Sequence, residues 1–363
     1  MQVECRHISD GIGKGKNMAE AVVHVEPGKE VHPLYCGVDV GGTNIKIGLV
    51  DDLGQTVAYR SIKTHQERGP ADAMARVSKV TGEMIASIGY TVEDIAAIGL
   101  ASPGTMDIQR GMLLEPHNLP QWYHFPIQKC LADLLGRRVV FANDANAAAF
   151  GEYWVGSGKQ FRSSILLTIG TGVGGGIIID DLLIEGEHSH GSELGHIIID
   201  FGEDAREIPT GQKGHLEAYA SGTAIIKRTL EALAESPDSS LQARILNGEE
   251  VSPLMVSEEA AKGDKLALHI VLETARYLGI GIVSLMHTID PGAVILGGAI
   301  NFGGHNSPVG RAFLQRVKDE IKIRAFPVPA ENTVIDFAIL GGAAGYLGAA
   351  GTARNACQRD CPK

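Results

Sequence analysis

The sequence predicts an α/β protein of two lobes that face each other across a cleft. Three observations lead there. The chain has 363 residues, enough for two packed domains rather than one. Short apolar runs alternate with longer stretches of helical period. One opening also occurs twice, a short strand, a glycine–threonine turn and a return strand, first over Tyr35–Val50 and again from Ser164 to Asp180.

Residues 1–33 are polar, contain Gly-Ile-Gly-Lys-Gly-Lys and hold no sustained period, so they are expected to form a flexible or loosely docked extension. Tyr35–Val40, Ile45–Val50 and Thr56–Ile62 read as strands, the last two joined by the hairpin residues Asp51-Asp52-Leu53-Gly54. Pro70–Ile88 carries Met74, Val77, Val80, Met84, Ile85 and Ile88 at helical spacing, with Pro near its start and Gly89 after its end. Then follow a strand at Ile95–Leu100, a helix at Ile127–Leu135, a strand at Arg138–Ala142 and a helix at Asp144–Trp154. The second unit begins with strands at Ser164–Ile169 and Gly176–Asp180. Helices are expected at Tyr219–Ala234 and at Glu258–Thr288, the latter broken near Gly263 or Gly279–Gly281. A strand at Ala293–Leu296, a helix at Pro308–Ile323, a strand at Thr333–Ile339 and a closing helix at Gly342–Ala350 complete the pattern. The expected division is residues 34–150 as a first lobe, completed by the C-terminal helix at about 341–350. Residues 151–340 form a larger second lobe and 351–363 a tail.

Composition narrows the function classes. Net charge is −11 and no Lys/Arg run exceeds Arg137-Arg138, so the basic cluster of a nucleic-acid-binding protein is missing. No uninterrupted apolar run reaches the ~20 residues of a membrane span. Met1–Lys16 carries charges and glycines where the apolar core of a signal peptide would lie, and a cytoplasmic home is expected. Five cysteines in no tight framework suggest reduced thiols, and Cys357 and Cys361 have no matching second pair for a zinc site.

Five constellations carry candidate chemistry. In Asp39-Val40-Gly41-Gly42-Thr43, at a hairpin tip, paired glycines let the backbone approach an oxyanion and aim N–H groups at it. Thr43 adds a hydroxyl there, and Asp39 can hold hydrated Mg²⁺. A plain glycine-rich hairpin is the other reading, and no Walker loop is present. Thr168–Gly176 repeats the design with Thr171 and Gly172; a strand rather than a helix follows, which excludes a dinucleotide fingerprint. Two such hairpins, one per half, suit a polyphosphate clamped from both sides. In Phe141–Glu152 the Asn143-Asp144 pair caps a helix, or else presents Asp144 to the cleft as the acceptor of a hydroxyl proton. Glu193 and His196 are three apart, share one face of a turn and can hydrogen-bond sugar hydroxyls; His188 and His190 upstream keep a metal reading open. Ser102-Pro103-Gly104 and His117–Trp122 read as an ordered loop in which Asn118 meets a ligand or closes a turn.

Taken together and in order, these motifs resemble the ROK family (repressors, open reading frames and sugar kinases) from about Tyr35 to Gly348. The resemblance rests on Asp-x-Gly-Gly-Thr, Ser-Pro-Gly, Asn-Leu-x-x-Trp, Asn-Asp-Ala-Asn-Ala-Ala, Gly-Thr-Gly-x-Gly-Gly, Glu-Leu-Gly-His and Leu-Glu-x-Tyr-Ala-Ser. It implies an actin-like/hexokinase-type (ribonuclease H-like) ATPase fold, with ATP and Mg²⁺ and a hexose, glucose first, as partners. It makes Asp144 the general base and gives Gly104, Asn118, Asn143, Glu193, His196 and Glu217 to the sugar. Asp39, Gly41, Gly42, Thr43, Thr171, Gly172, Gly297 and Gly298 go to the nucleotide. An N-acetylmannosamine, N-acetylglucosamine or fructose kinase, or a non-catalytic sugar sensor, is the alternative. A homodimer or homotetramer is expected by analogy. The chain departs from the pattern in one place. Where many members carry a Cys-x-Cys-Gly-x-x-Gly-Cys zinc motif, it has Ile208, Thr210 and His215 in place of the thiolates, so no structural zinc is expected. Residues 1–34 also look too short for the winged helix-turn-helix of the family's repressors.

Overall fold

The computed structural model describes residues 22–116 and 119–360. Its framework is two five-stranded sheets of the same design. In the first, β1 (Leu34–Val40), β2 (Asn44–Val50), β3 (Thr56–Lys63), β4 (Ile95–Ser102) and β7 (Val139–Asn143) run in the order β3-β2-β1-β4-β7. In the second, β8 (Ser163–Ile169), β9 (Val173–Ile179), β10 (Leu182–Leu183), β11 (Ala293–Gly297) and β12 (Val334–Phe337) run β10-β9-β8-β11-β12. Each sheet has an antiparallel meander on one side and parallel strands on the other. The repetition expected from the two glycine–threonine turns is therefore a repetition of strand order. A two-residue hairpin, β5 (Met106–Asp107) with β6 (Met112–Leu113), was not anticipated.

Helices α1 (Gly69–Ser87) and α2 (Ile127–Leu135) bury Met74, Val77, Met84, Ile85, Ile127 and Leu131 with the apolar side chains of β1, β2 and β4. Beyond β10 the chain is mainly helical: α4 (Glu217–Ala220), α5 (Gly222–Glu235), α6 (Ser240–Leu246), α7 (Pro253–Ala261), α8 (Lys265–Ile289), α9 (Pro308–Arg324) and α10 (Pro327–Asn332). The stretch expected as one helix from Tyr219 breaks at Ser221, whose hydroxyl accepts from the Ala224 N–H and starts a new helix. The expected Glu258–Thr288 helix breaks at Gly263, where φ is +97°, and Asp264 caps α8; Gly279 and Gly281 stay helical. By length and composition α8, with 25 residues and a most apolar window of mean hydropathy 1.5, could cross a membrane. That qualifies the sequence reading, which counted unbroken runs. Here it is the core helix of the second half, with Ile270, Val271, Leu278 and Ile282 buried.

Two helices lie between the sheets. α3 (Asp144–Trp154) touches β7, β8 and β9, while α11 (Ala344–Asp360) lies on β1, β2, β4 and β7 and against α3. These layers touch at backbone distance. A Cβ at Gly348 would fall on the Ala147 carbonyl, and one at Gly99 on that of Ala349. Two expectations are corrected. Residues 351–360 are not a tail but the last turns of α11, tied down by Arg354 to Asp52 at 2.8 Å and by Asn355 donating to the Asp181 carbonyl at 2.7 Å. Residues 22–33 are not loose: the Val25 N–H donates to the Thr56 carbonyl, and the Thr56 N–H to Val23. The remainder of the predicted extension (1–21), Asn118 and Cys361 lie outside the described residues.

Candidate functional site

Each functional position follows from a local device. Asp39 is the next-to-last residue of β1 and pairs with Lys46 of β2. The turn is closed by the Gly41 N–H donating to Asn44 and by the Thr64 hydroxyl donating to the Gly41 carbonyl at 2.6 Å. At the end of β7, the Asn143 side-chain oxygen accepts from the N–H groups of Ala145 (2.9 Å) and Asn146 (3.3 Å). The capping reading of Asn143 therefore holds, and it aims the first helical residue, Asp144, into the space between the sheets.

That space is a cleft of about 970 Å³. It is lined from the first half by Asp39, Lys46, Gly104 and Asp144, and from the second by Gly170–Gly174, Glu193, His196, Glu217, Gly297 and Gly298. A smaller polar pocket of about 120 Å³ adjoins it, walled by Asn143, Asn146, Ser189, His190, Ser192 and Glu193 among others. Gly104, Asp144, Ala145, Gly174 and Glu193 belong to both. Asp144 thus stands at the junction of a large cleft and a small polar chamber. Of the first hairpin, Asp39 reaches the cleft wall, whereas Gly42 and Thr43 form its exposed tip and do not line the cleft. The second loop does line it, as does Gly298, whose φ of +90° lets its backbone lie against Ile169.

The electrostatics centre on two carboxyls. Burial, and then the neighbouring Asp39 charge, push Asp144 up to about 6. Asp39 is raised by burial too, and the Lys46 ammonium, 3.5 Å away, opposes the rise only in part. Two carboxylates short of positive charge, beside a glycine loop that offers backbone N–H groups, suit a hydrated divalent cation carried with phosphates. The donor chemistry therefore fits Mg²⁺.

On the far wall, Leu194–His196 forms a 3₁₀ turn, and His196 Nε2 comes within 3.9 Å of Glu193 Oε2. With no thiolate nearby, His196 finds another partner: its Nδ1 hydrogen-bonds His215 Nδ1 at 3.0 Å. Burial, then His196, lowers the pKa of His215 and favours its neutral ring. Ile208 packs with Ala218 and Tyr219 in a small buried cluster. The Tyr219 hydroxyl donates to Asp200 (2.5 Å) and accepts from the Arg206 N–H (2.8 Å). Among the described residues no group of three His, Cys, Asp or Glu side chains is placed to hold a metal ion.

Sequence reasoning missed several lining residues. Lys46 was legible as a lone cation inside the apolar strand Ile45–Val50, whereas Ser189, His190 and Ser192 come from a loop with no periodic signal. Asn146, 5% exposed with its side-chain oxygen unpartnered, lies within the motif already noted. Glu152 accepts from the N–H groups of Ser157 (2.9 Å), Ile339 (3.0 Å) and Leu340 (2.8 Å), and so pins together both strands of chain that cross between the sheets.

Comparison with known proteins agrees with this fold. Residues 35–356 match the ROK family domain. The chain is 31% identical over 314 residues to a glucokinase of Halalkalibacterium halodurans, covering 86% of this chain and 93% of that one. A ROK family glucokinase from Streptomyces griseus, solved in complex with glucose and AMPPNP, superposes with a TM-score of 0.70 at 32% identity, covering 88% of this chain and 99% of that one. A xylose repressor of Caldicellulosiruptor bescii is 28% identical over 346 residues, covering 94% of this chain and 82% of that one.

Proposed function

The chain belongs to the ROK family, and on that premise we propose that it is an ATP-dependent hexose kinase whose preferred acceptor is glucose. One observation carries the reading: Asp144 lines both the large cleft and the small polar pocket. A transferred phosphoryl group needs a nucleotide site and a hydroxyl site that meet at one proton acceptor. Support also comes from the ROK glucokinase neighbour, which was solved with glucose and an ATP analogue.

In this reading ATP occupies the cleft, with its phosphates toward the Gly170–Gly174 loop and its nucleoside toward Gly297 and Gly298. Asp39 would hold Mg²⁺, and the ion would supply neutralisation of phosphate charge. Lys46 offsets charge on the same side. The hexose lies where the small pocket opens into the cleft, with Gly104, Asn143 and Glu193 from the pocket and His196 and Glu217 from the cleft wall on its hydroxyls; Asn118 is assigned to it from the sequence alone. Asp144 accepts the proton of the attacking hydroxyl, most simply O6, as that oxygen bonds to the γ-phosphorus and the bond to ADP breaks. The transition state is loose, so an orienting carboxylate suffices as base. Residues 34–150 with 341–350, and residues 151–340, would be the bodies that close, and Gly41–Thr43 would meet the phosphates on closure.

We further place the enzyme in the cytoplasm as a homodimer or homotetramer, with no nucleic-acid or membrane partner. A coupled ADP assay with glucose, fructose, mannose, N-acetylglucosamine and N-acetylmannosamine tests the substrate. The highest kcat/KM is expected for glucose, and a preference for an N-acetylhexosamine would replace it. Sugar binding by calorimetry with no ADP from any sugar would instead make the chain a sensor.

A further inference from the structure

The loop assigned to the ATP phosphates is held from the sugar side. The Gly170 carbonyl accepts from the Gly222 N–H at 2.8 Å, and the Thr171 carbonyl accepts from the Thr223 hydroxyl at 3.0 Å. The Val173 N–H donates to Glu217 Oε2 at 2.8 Å. All three anchors come from residues 217–223, the short helix α4 and the start of α5. The Glu217 carboxylate also presses on Gly172 so closely that a Cβ there would collide with Oε2. The same side chain lines the cleft beside Glu193 and His196. α4 is itself fixed on the sugar-side segment, by the Leu216 N–H donating to Ile197 at 3.0 Å and by the Tyr219–Asp200 hydrogen bond.

We infer that Glu217 is a coupling residue through which a bound sugar stiffens the 170–173 phosphate loop, so that sugar and nucleotide bind with positive cooperativity. The inference rests on the kinase reading above and adds a direction of communication to it. A carboxylate that accepts a sugar hydroxyl loses rotational freedom, and its bond to the Val173 amide is held in one geometry. The loop N–H groups around Gly172 are then ordered before the phosphates arrive, which lowers the entropy cost of binding them. Linkage makes the effect reciprocal: whatever factor the sugar adds to nucleotide affinity, the nucleotide adds to sugar affinity. The physiological gain is restraint. Without sugar the loop binds ATP less well, and water has less opportunity to act as acceptor.

The test is calorimetric titration of the full chain with a non-hydrolysable ATP analogue and Mg²⁺, with and without saturating glucose, beside a steady-state ADP assay. For the wild type, glucose should tighten nucleotide binding about 5- to 20-fold, within the usual range of coupling between sites. Glu217→Ala should reduce that factor to below about twofold even at saturating glucose, whereas Glu217→Gln, which keeps an acceptor for the Val173 N–H, should retain most of it. Gly172→Ala approaches the contact from the other partner and displaces the carboxylate, and it should lose the factor as well. It also serves if Glu217→Ala does not fold. Undiminished coupling in Glu217→Ala or Gly172→Ala would overturn the inference. So would a wild type that makes ADP yet shows no tightening by glucose, and that result would leave the kinase reading standing. No nucleotide binding and no ADP from the wild type would remove both.

Discussion

Replacing Asp144 with Asn should abolish phosphoryl transfer and at the same time stabilise the fold. The swap is nearly isosteric. Asn keeps an oxygen for the Ala145 N–H, which Asp144 Oδ1 now accepts at 2.8 Å, and Asn143 still caps α3. What disappears is a charge that the site disfavours. Burial and Asp39 lift the carboxyl from 3.8 to about 6. At about 1.4 kcal/mol for each pH unit, that is roughly 3 kcal/mol of penalty for ionising it in the folded protein. Because the folded value lies above the unfolded one, the favourable contribution is complete below pH 3.8 and is lost as pH rises through about 6. At pH 7 the wild type bears the whole penalty and the Asn variant none, so its Tm should rise by a few degrees. Turnover should fall by 10² or more, with glucose affinity by calorimetry changed by less than about threefold. The wild-type kcat/KM should fall about tenfold for each pH unit below 6, where a carboxyl of ordinary pKa would keep it level to about pH 4. A variant that turns over at wild-type rate, or one that loses stability at pH 7, would refute this account of the site.

Two further predictions concern what holds the halves together. Glu152→Ala removes the acceptor of three N–H groups where both crossings between the sheets meet. It should cost about 3 kcal/mol or more in urea denaturation, and the Gln variant, which keeps one acceptor oxygen, should recover part of that. Gly348→Ala drives a methyl group into the Ala147 carbonyl of α3. Expression should fall, or Tm should drop by several degrees, whereas Gly82→Ala, at an open position of α1, should leave expression unchanged and raise Tm slightly.

Much of the frame was legible because its signals are local. Ile127–Leu135 and Asp144–Trp154 match the observed helices end to end, and the strands of the first hairpin agree to within a residue. In each case apolar period and terminal chemistry agree. The misreadings have non-local causes. Ala344–Asp360 is rich in alanine and glycine, so its period is faint, and its length is set by packing on α3 and the first sheet. Residues 22–33 have no period because they gain their hydrogen bonds from Thr56 and Asp52 of another segment.

The same division runs through the site. The sequence by itself determined several residues of the cleft wall: Asp39, the Gly170–Gly174 turn, Asp144 beside its capping Asn143, and the Glu193–His196 turn, with Glu217 added by the family resemblance. Short-range order is enough for these, since a turn or a cap is decided by neighbours within a few residues. Only the tertiary structure decided that Asp144 opens on two chambers, that Lys46 answers Asp39, that His215 partners His196 and that Glu217 holds the 170–173 loop. Each of these depends on residues distant in sequence that share one buried space, and burial, which raises the Asp144 carboxyl to about 6, exists only once both sheets are in place.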